Sequence, residues 1–219
     1  MPRGYRQFCG LARAAEVLGQ RWTLLILRDL QVGPRRYTDL LAGLPGIPTN
    51  VLTTRVKALE EDGLIARTAR SGADRAVVYE LTPRGAELGP ALKALARWGA
   101  AGMREPREGE VVTEASLVTA LRVAAADEPA ARLRIACTVR VGEAVANAVV
   151  EDGAVAVEPG EHPAPELVII AGSNFRDVLA GRLDADAAVA EGAVQIEGEV
   201  ALLRAFLEVF SVPYSESIS

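Results

Sequence analysis

The sequence predicts an α+β chain of two domains, and three observations carry that prediction. Through the first hundred residues, apolar side chains recur every three or four positions, the period of a helix with one buried face. After residue 132, apolar and polar residues alternate one by one, the period of a half-buried strand. Between these regimes, residues 104–110 (Arg-Glu-Pro-Arg-Glu-Gly-Glu) contain no apolar side chain and read as a linker. The domains are therefore expected at 1–104 and 112–219, joined by 105–111.

In the first domain, Leu11, Ala14, Ala15 and Leu18 stand at i, i+3, i+4 and i+7, so a helix is expected to end at Gly19. Residues 21–32 are apolar nearly all round, as in a helix at the centre of a core. Gly33-Pro34 stops that helix. Tyr37, Leu40, Leu41 and Leu44 share one face of a short helix, and Pro45-Gly46-Ile47-Pro48 reads as a turn. A further helix is expected over 49–62, with Thr49 as its N-cap and Val51, Leu52, Val56 and Leu59 as its buried stripe. Residues 64–68 and 77–81 read as strands joined by a turn at 71–74. Thr82-Pro83 opens a long helix, with Pro at its first position.

Helix, helix, turn, helix, two-stranded ribbon is the order of a winged helix-turn-helix, and the residues on its outer faces suit contact with double-stranded DNA. Thr49, Asn50, Thr53, Thr54 and Lys57 point away from the apolar stripe of the 49–62 helix. Asn can pair bidentately with adenine, and Thr carries both a hydroxyl and a methyl for a base edge. Arg55 flanks this face. Arg67, Arg70 and Arg75 sit on the ribbon, where they can lie along the phosphate backbone or enter a minor groove. Arg35 and Arg36 open the preceding helix as candidate phosphate clamps.

Charge agrees with this division of labour. Residues 1–108 hold 17 Lys+Arg against 11 Asp+Glu, a net of +6, whereas 109–219 hold 7 against 18, a net of −11. The whole-chain value of −5 conceals a basic half suited to a polyanion and an acidic half that is not.

These motifs resemble the HxlR family of bacterial winged-helix transcription regulators over residues 9–99. The matching stretches begin with Cys9-Gly10-Leu11-Ala12-Arg13-Ala14 and Gly19-Gln20-Arg21-Trp22-Thr23-Leu24-Leu25-Ile26-Leu27-Arg28-Asp29-Leu30. They continue through Gly33-Pro34-Arg35-Arg36-Tyr37, Leu44-Pro45-Gly46-Ile47-Pro48-Thr49-Asn50-Val51-Leu52 and Leu59-Glu60-Glu61-Asp62-Gly63-Leu64-Ile65. Tyr79-Glu80-Leu81-Thr82-Pro83-Arg84-Gly85 closes the set. The resemblance implies a homodimer on an inverted repeat, with the first and last helices of this domain as its interface. It also places Cys9 where several members carry a thiol that senses oxidants or electrophiles. Arg6 and Arg13 lie near Cys9 in sequence, surroundings that a reactive thiol uses. An inert, partly buried cysteine is the plainer alternative.

The second domain is expected to begin with a helix over 112–126. Leu133, Ile135, Cys137, Val139 and Val141 form the apolar side of a strand, which puts Cys137 in the core. Residues 143–150 read as its hairpin partner, and Asp152-Gly153 as a tight turn into 154–157. A strand at 166–171, helices at 174–181, 185–191 and 199–210, and a strand at 193–197 complete the pattern.

From about 112 to 212 the chain resembles the sterol-carrier-protein-like domain. The resemblance rests on Val149-Val150-Glu151-Asp152-Gly153, Pro165-Glu166-Leu167-Val168-Ile169-Ile170 and Phe175-Arg176-Asp177-Val178-Leu179-Ala180-Gly181. Leu183-Asp184-Ala185-Asp186-Ala187-Ala188 and Gly192-Ala193-Val194-Gln195-Ile196-Glu197-Gly198-Glu199 extend it. It implies a curved sheet covered by helices, which in some such domains encloses an apolar cavity. Leu202, Leu203, Phe206, Leu207 and Phe210 of the last helix are candidates to line one, or they simply fill the core.

Catalysis has little to rest on. The one histidine, His162, sits in a Pro-rich loop, and neither a phosphate-binding Gly-rich loop, a nucleophile elbow nor a CxxC is present. Asp184 reads as an N-cap rather than a metal ligand. No enzyme activity, metal or cofactor is therefore expected. Neither a secretory signal nor a run of roughly 18 apolar residues is found, and two cysteines make no disulfide framework, so a cytoplasmic setting is expected. The reading is a dimeric DNA-binding regulator controlled by a small apolar ligand. Two alternatives stand beside it: a redox-sensing regulator acting through Cys9, and a hydrophobic-ligand carrier dimerised by its winged domain.

Overall fold

The computed structural model describes residues 4–70, 76–103, 106–126, 133–172 and 175–212. The chain divides into two compact units, Met1–Leu92 and Lys93–Ser219.

The first unit contains α1 (Gly10–Leu18), α2 (Thr23–Val32), α3 (Tyr37–Gly43), α4 (Thr49–Glu61), β1 (Ile65–Ala69), β2 (Val77–Leu81) and α5 (Pro83–Ala86), and α6 (Gly89–Ala101) begins in it. Its core joins Ile26, Leu27 and Leu30 of α2 to Leu40 of α3, to Leu52, Val56 and Leu59 of α4 and to Ile65 of β1, with Leu44 and Leu64 between the elements. Each helix supplies one stripe at helical spacing. At about 25 cal/mol per Å² of apolar surface removed from water, these stripes are the main stabilising term of so small a unit.

Three details of this unit differ from the sequence-based expectation. The α2 helix is not buried all round, since Leu24 and Leu25 are 37% and 42% exposed. The positions Thr23, Ile26, Leu27 and Leu30 already fill the one face that a small core can cover, and Leu24 and Leu25 fall on the other side. The N-cap of α4 is Pro48, not Thr49. Proline's fixed φ holds the extended cap conformation, and the Pro48 carbonyl accepts from the N–H groups of Val51 and Leu52. The helix after Thr82 is broken into α5 and α6. Pro90 has no N–H to donate, and its ring would clash with the carbonyl of Ala86, four residues back.

α4 ends in a Schellman motif. Gly63, at φ +69°, donates to the Glu60 carbonyl, and Leu64 donates to that of Leu59. β1 and β2 then pair antiparallel, with Ile65 opposite Leu81, Arg67 opposite Tyr79 and Ala69 opposite Val77. Arg35 exchanges main-chain hydrogen bonds with Tyr79 at 3.0 and 2.8 Å, which adds a one-residue third strand to the ribbon. The expected turn at 71–74 and Arg75 lie outside the described residues.

The second unit contains the rest of α6, α7 (Glu114–Ala124), β3 (Ile135–Val141), β4 (Ala144–Glu151), β5 (Ala154–Pro159), β6 (Leu167–Ala171), α8 (Phe175–Leu179), α9 (Ala185–Ala190), β7 (Val194–Glu197) and α10 (Val200–Val209). The sheet order is β5-β4-β3-β6-β7. β3 and β6 are parallel, and the other neighbours are antiparallel. Asp152 and Gly153, with φ of 52° and 75°, make the tight turn between β4 and β5. Ile135, Cys137, Val139 and Val141 are buried as the alternation predicts. Thr138, on the opposite face, is buried as well, and its Oγ1 accepts from the His162 N–H at 3.0 Å. Thr113 and Ser116 cap α7 reciprocally, and Asp184 caps α9 by accepting from the Ala187 N–H at 2.8 Å. Among the described residues, no helix is long and apolar enough to cross a membrane.

Candidate nucleic-acid interface

The outer face of α4 is built from the first turn onward. Thr49, Asn50, Thr53, Thr54 and Lys57 are exposed, opposite the buried Leu52, Val56 and Leu59. Arg55 is half-buried at the side of this face. No acidic residue lies in the first turn of α4, so the partial positive charge of the helix N-terminus is left for an anion. Lys57 extends toward the C-terminal end, where its Nζ lies 3.7 Å from Glu61, a solvent-exposed pair worth little to stability.

Two clamps fix how α4 is held, and neither was foreseen from the sequence. At its start, the Tyr37 hydroxyl lies 3.0 Å from the Thr49 carbonyl and 2.8 Å from Thr53 Oγ1, tying α3 to the first turn of α4. In the sequence Tyr37 is one apolar member of a helical stripe, and its phenolic oxygen was the only signal of this role. At the far end, Thr82 Oγ1 donates to the Gly63 carbonyl at 2.7 Å and accepts from the Gly85 N–H at 3.1 Å. Arg84 Nη1 donates to the Asp62 carbonyl at 2.9 Å. The C-terminus of α4 is thus tied to the end of the ribbon. Gly85 is required at this joint, because a Cβ there would lie 2.0 Å from the Leu64 carbonyl oxygen.

The ribbon presents Arg67 exposed on β1 and Arg70 exposed just beyond it. Thr68 lies between them in sequence, and its hydroxyl donates to Glu80 Oε1 across the strands. Arg36 is the exposed N-cap of α3, and its main-chain N–H donates to Asp39 Oδ2 at 2.9 Å. Arg35 is half-buried, with its main chain committed to Tyr79. Behind this surface, the buried Asp29 is held by Arg28 of the same helix at 2.6 Å.

Cys9 is exposed at the N-cap of α1, in place of the partly buried setting expected for an inert thiol. Cys137 is buried, and burial, reinforced by the charge of Glu166, pushes its thiol up to about 12.

In the second unit, Leu203, Phe206 and Phe210 are fully buried, and the two phenylalanine rings stack with centroids 4.4 Å apart. Leu202 and Leu207 are half-buried. None of these five lines the open groove of about 600 Å³ found in this unit, which is bounded by Arg122 of α7, by Val155, Val157 and Glu158 of β5, and by Lys93. Arg122 donates from Nε and Nη2 to the Val157 carbonyl of the edge strand. Its pKa is lowered by burial, a shift that Glu158 partly opposes.

A helix pair locked to a two-stranded ribbon, with a polar exposed helix face, defines the first unit as a winged helix-turn-helix. The family model described as HxlR-like helix-turn-helix matches residues 17–106. An uncharacterized HTH-type transcriptional regulator of Synechocystis sp. is 38% identical over 91 residues, covering 42% of this chain and 67% of the relative. A second, from Mycobacterium bovis, is 42% identical over 89 residues, covering 41% of this chain and 56% of the relative. Among solved structures, the reduced form of the transcriptional regulator YodB from B. subtilis aligns with a TM-score of 0.40 at 27% identity, covering 45% of this chain and 97% of that one. The chain belongs to the HxlR-like helix-turn-helix family. Its matched region is that of a helix-turn-helix transcriptional regulator.

Proposed function

We propose that this protein regulates transcription as a homodimer on a pseudo-palindromic operator, with α4 in the major groove and the β1–β2 ribbon against the backbone. The observation that carries this reading is the exposed polar face Thr49, Asn50, Thr53, Thr54 and Lys57 on a helix clamped at both ends. A clamped helix delivers its side chains to the groove without further ordering cost. Arg36, Arg67 and Arg70 supply phosphate contacts, with Arg35, Arg55 and Arg75 as further basic contributors. The homodimer is supported by large apolar side chains exposed in a single copy, Leu11 on α1 and Trp98 on α6.

In this reading residues 1–104 bind DNA and dimerise, 105–111 link, and 112–219 form a sterol-carrier-like domain that takes a small apolar ligand. An effector changes operator affinity only by its differential binding to the two spacings of the recognition helices, typically about 1–3 kcal/mol. The test is fluorescence anisotropy with an operator duplex. Asn50→Ala is expected to cost on the order of 1–3 kcal/mol on the cognate site and little on random DNA. Equal losses on both would remove Asn50 from base readout.

A second reading is favoured by the exposure of Cys9 at the N-cap of α1, where an oxidant can reach the thiol. Here oxidation of Cys9 releases DNA and the second domain is structural. Release by diamide that persists in Cys9→Ser would end it.

A further inference from the structure

We infer that Thr53 and Thr54 read DNA with their methyl groups and not as hydrogen-bond donors, so that the second turn of α4 favours thymine and disfavours guanine. This rests on the proposal that α4 is the recognition helix, and adds to it the chemistry of the base contact.

A threonine hydroxyl carries one proton. Thr54 Oγ1 donates its proton to the Asn50 carbonyl of the preceding turn at 2.8 Å. Thr53 Oγ1 lies 2.9 Å from the Thr49 carbonyl and 2.8 Å from the Tyr37 hydroxyl, which is itself 3.0 Å from that carbonyl. The carbonyl oxygen can only accept, so two protons are shared within a triangle of three oxygens. When Thr53 Oγ1 donates to the Thr49 carbonyl, or to Tyr37 while Tyr37 donates to that carbonyl, the proton of Thr53 stays inside the triangle. Both side chains are nevertheless exposed. With Oγ1 turned back to the helix, the other branch at Cβ, the Cγ2 methyl, is what each residue offers outward.

The bases differ in what such a surface can use. In the major groove guanine presents only acceptors, N7 and O6, and needs donors that the Thr53 and Thr54 hydroxyls have spent. Thymine presents its 5-methyl, which packs against an apolar group. Among Asn50, Thr53 and Thr54, the Asn50 amide alone has N–H groups to give. The first turn therefore reads by hydrogen bond and the second by apolar contact. Thr53 and Thr54 thus behave as a short apolar step behind the Asn50 amide, although both are polar in the sequence.

The experiment uses the full chain and a duplex that it selects from a random-sequence library. Each thymine is replaced in turn by deoxyuridine, which removes the 5-methyl and nothing else. The wild-type protein is expected to lose roughly fourfold in affinity at one or two thymines, the scale of one buried methyl group. Thr54→Val keeps the methyl and is expected to retain binding. Thr54→Ser keeps the hydroxyl, and is expected to bind the thymine duplex more weakly and to lose its sensitivity to deoxyuridine at the matching position. At Thr53 only Thr53→Ser is used, with the same expectation, because Thr53→Val would also remove the bond to Tyr37 that holds α4. The inference is overturned if Thr54→Val loses binding while Thr54→Ser keeps it, or if no thymine responds although Asn50→Ala weakens the complex. Indifference to every α4 substitution, Asn50→Ala included, would overturn the recognition-helix reading along with it.

Discussion

A single missing Cβ holds the joint between the putting-together of helix and ribbon in the first unit. Gly85 lets the Leu64 carbonyl approach to where a methyl would sit, so Gly85→Ala must push either the chain after β2 or the end of α4 aside. The expected cost is about 1–3 kcal/mol, read as a lower urea midpoint with an unchanged slope. The same substitution at the open position Gly99, where a Cβ meets nothing within 4 Å, provides the control. The cysteines give a second residue-scale expectation. In the native protein Cys9 should alkylate readily and Cys137 only after unfolding, as read by mass spectrometry of maleimide-treated protein. The thiol of Cys137 is raised above that of an unfolded chain, so the fold favours its neutral form. The associated stability is complete below the ordinary thiol range and is lost as pH rises toward about 12. Labelling of native Cys137 near neutral pH would contradict its burial. The exposed Thr and Asn side chains of α4 were legible in the sequence because they interrupt an apolar stripe at helical spacing. What their hydroxyls bond to was not legible, because it depends on Tyr37 and on carbonyl groups that no side-chain pattern encodes.

At the scale of elements, periodicity served well wherever an element had one wet and one dry face. The helices α3 and α4 and the strands β3 and β4 fall in that class, and their bounds differ from the expected ones by a residue or two, whereas on α1 the expected stripe residue Leu11 is exposed and Ala12 is buried. It served poorly where packing or backbone chemistry decided. The break between α5 and α6 hangs on Pro90, which an apolar stripe running through Leu88, Leu92 and Leu95 conceals. The Arg35–Tyr79 bridge is one residue long and has no period to detect. The half-exposed Leu24 and Leu25 show that an apolar helix surface need not be buried when the unit beneath it is small. Thr82 is the element-scale test. Its hydroxyl caps α5 and also holds the Gly63 carbonyl, so Thr82→Val loses both bonds at nearly constant volume. A loss of about 1–2 kcal/mol is expected, the usual size of an N-cap. An unchanged melting temperature would show that the clamp contributes nothing.

For the whole molecule, the sequence announced an asymmetry of charge and composition that the two units give a physical place. The winged helix-turn-helix was legible because its motifs lie in one continuous stretch. The site proposed for an apolar ligand was less so. Its candidate residues Phe206 and Phe210 stack inside the core, whereas an open groove of that unit is lined from α7 and β5. The proposed homodimer belongs to this scale. Trp98→Arg is expected to shift the protein toward monomer in sedimentation equilibrium and to weaken operator binding with it, while leaving the circular dichroism of the fold unchanged. A dimer that survives the substitution would move the interface away from α6.

Sequence readout is the role proposed for α4. Its most direct test is fluorescence anisotropy of the full chain with the DNA upstream of its own gene, against a scrambled duplex of equal length, over a series of salt concentrations. Much tighter binding to the native duplex is expected, with both affinities falling linearly on a log–log salt plot as phosphate contacts are screened. Equal, weak and steeply salt-dependent binding to both duplexes would contradict it, leaving a basic surface without sequence readout.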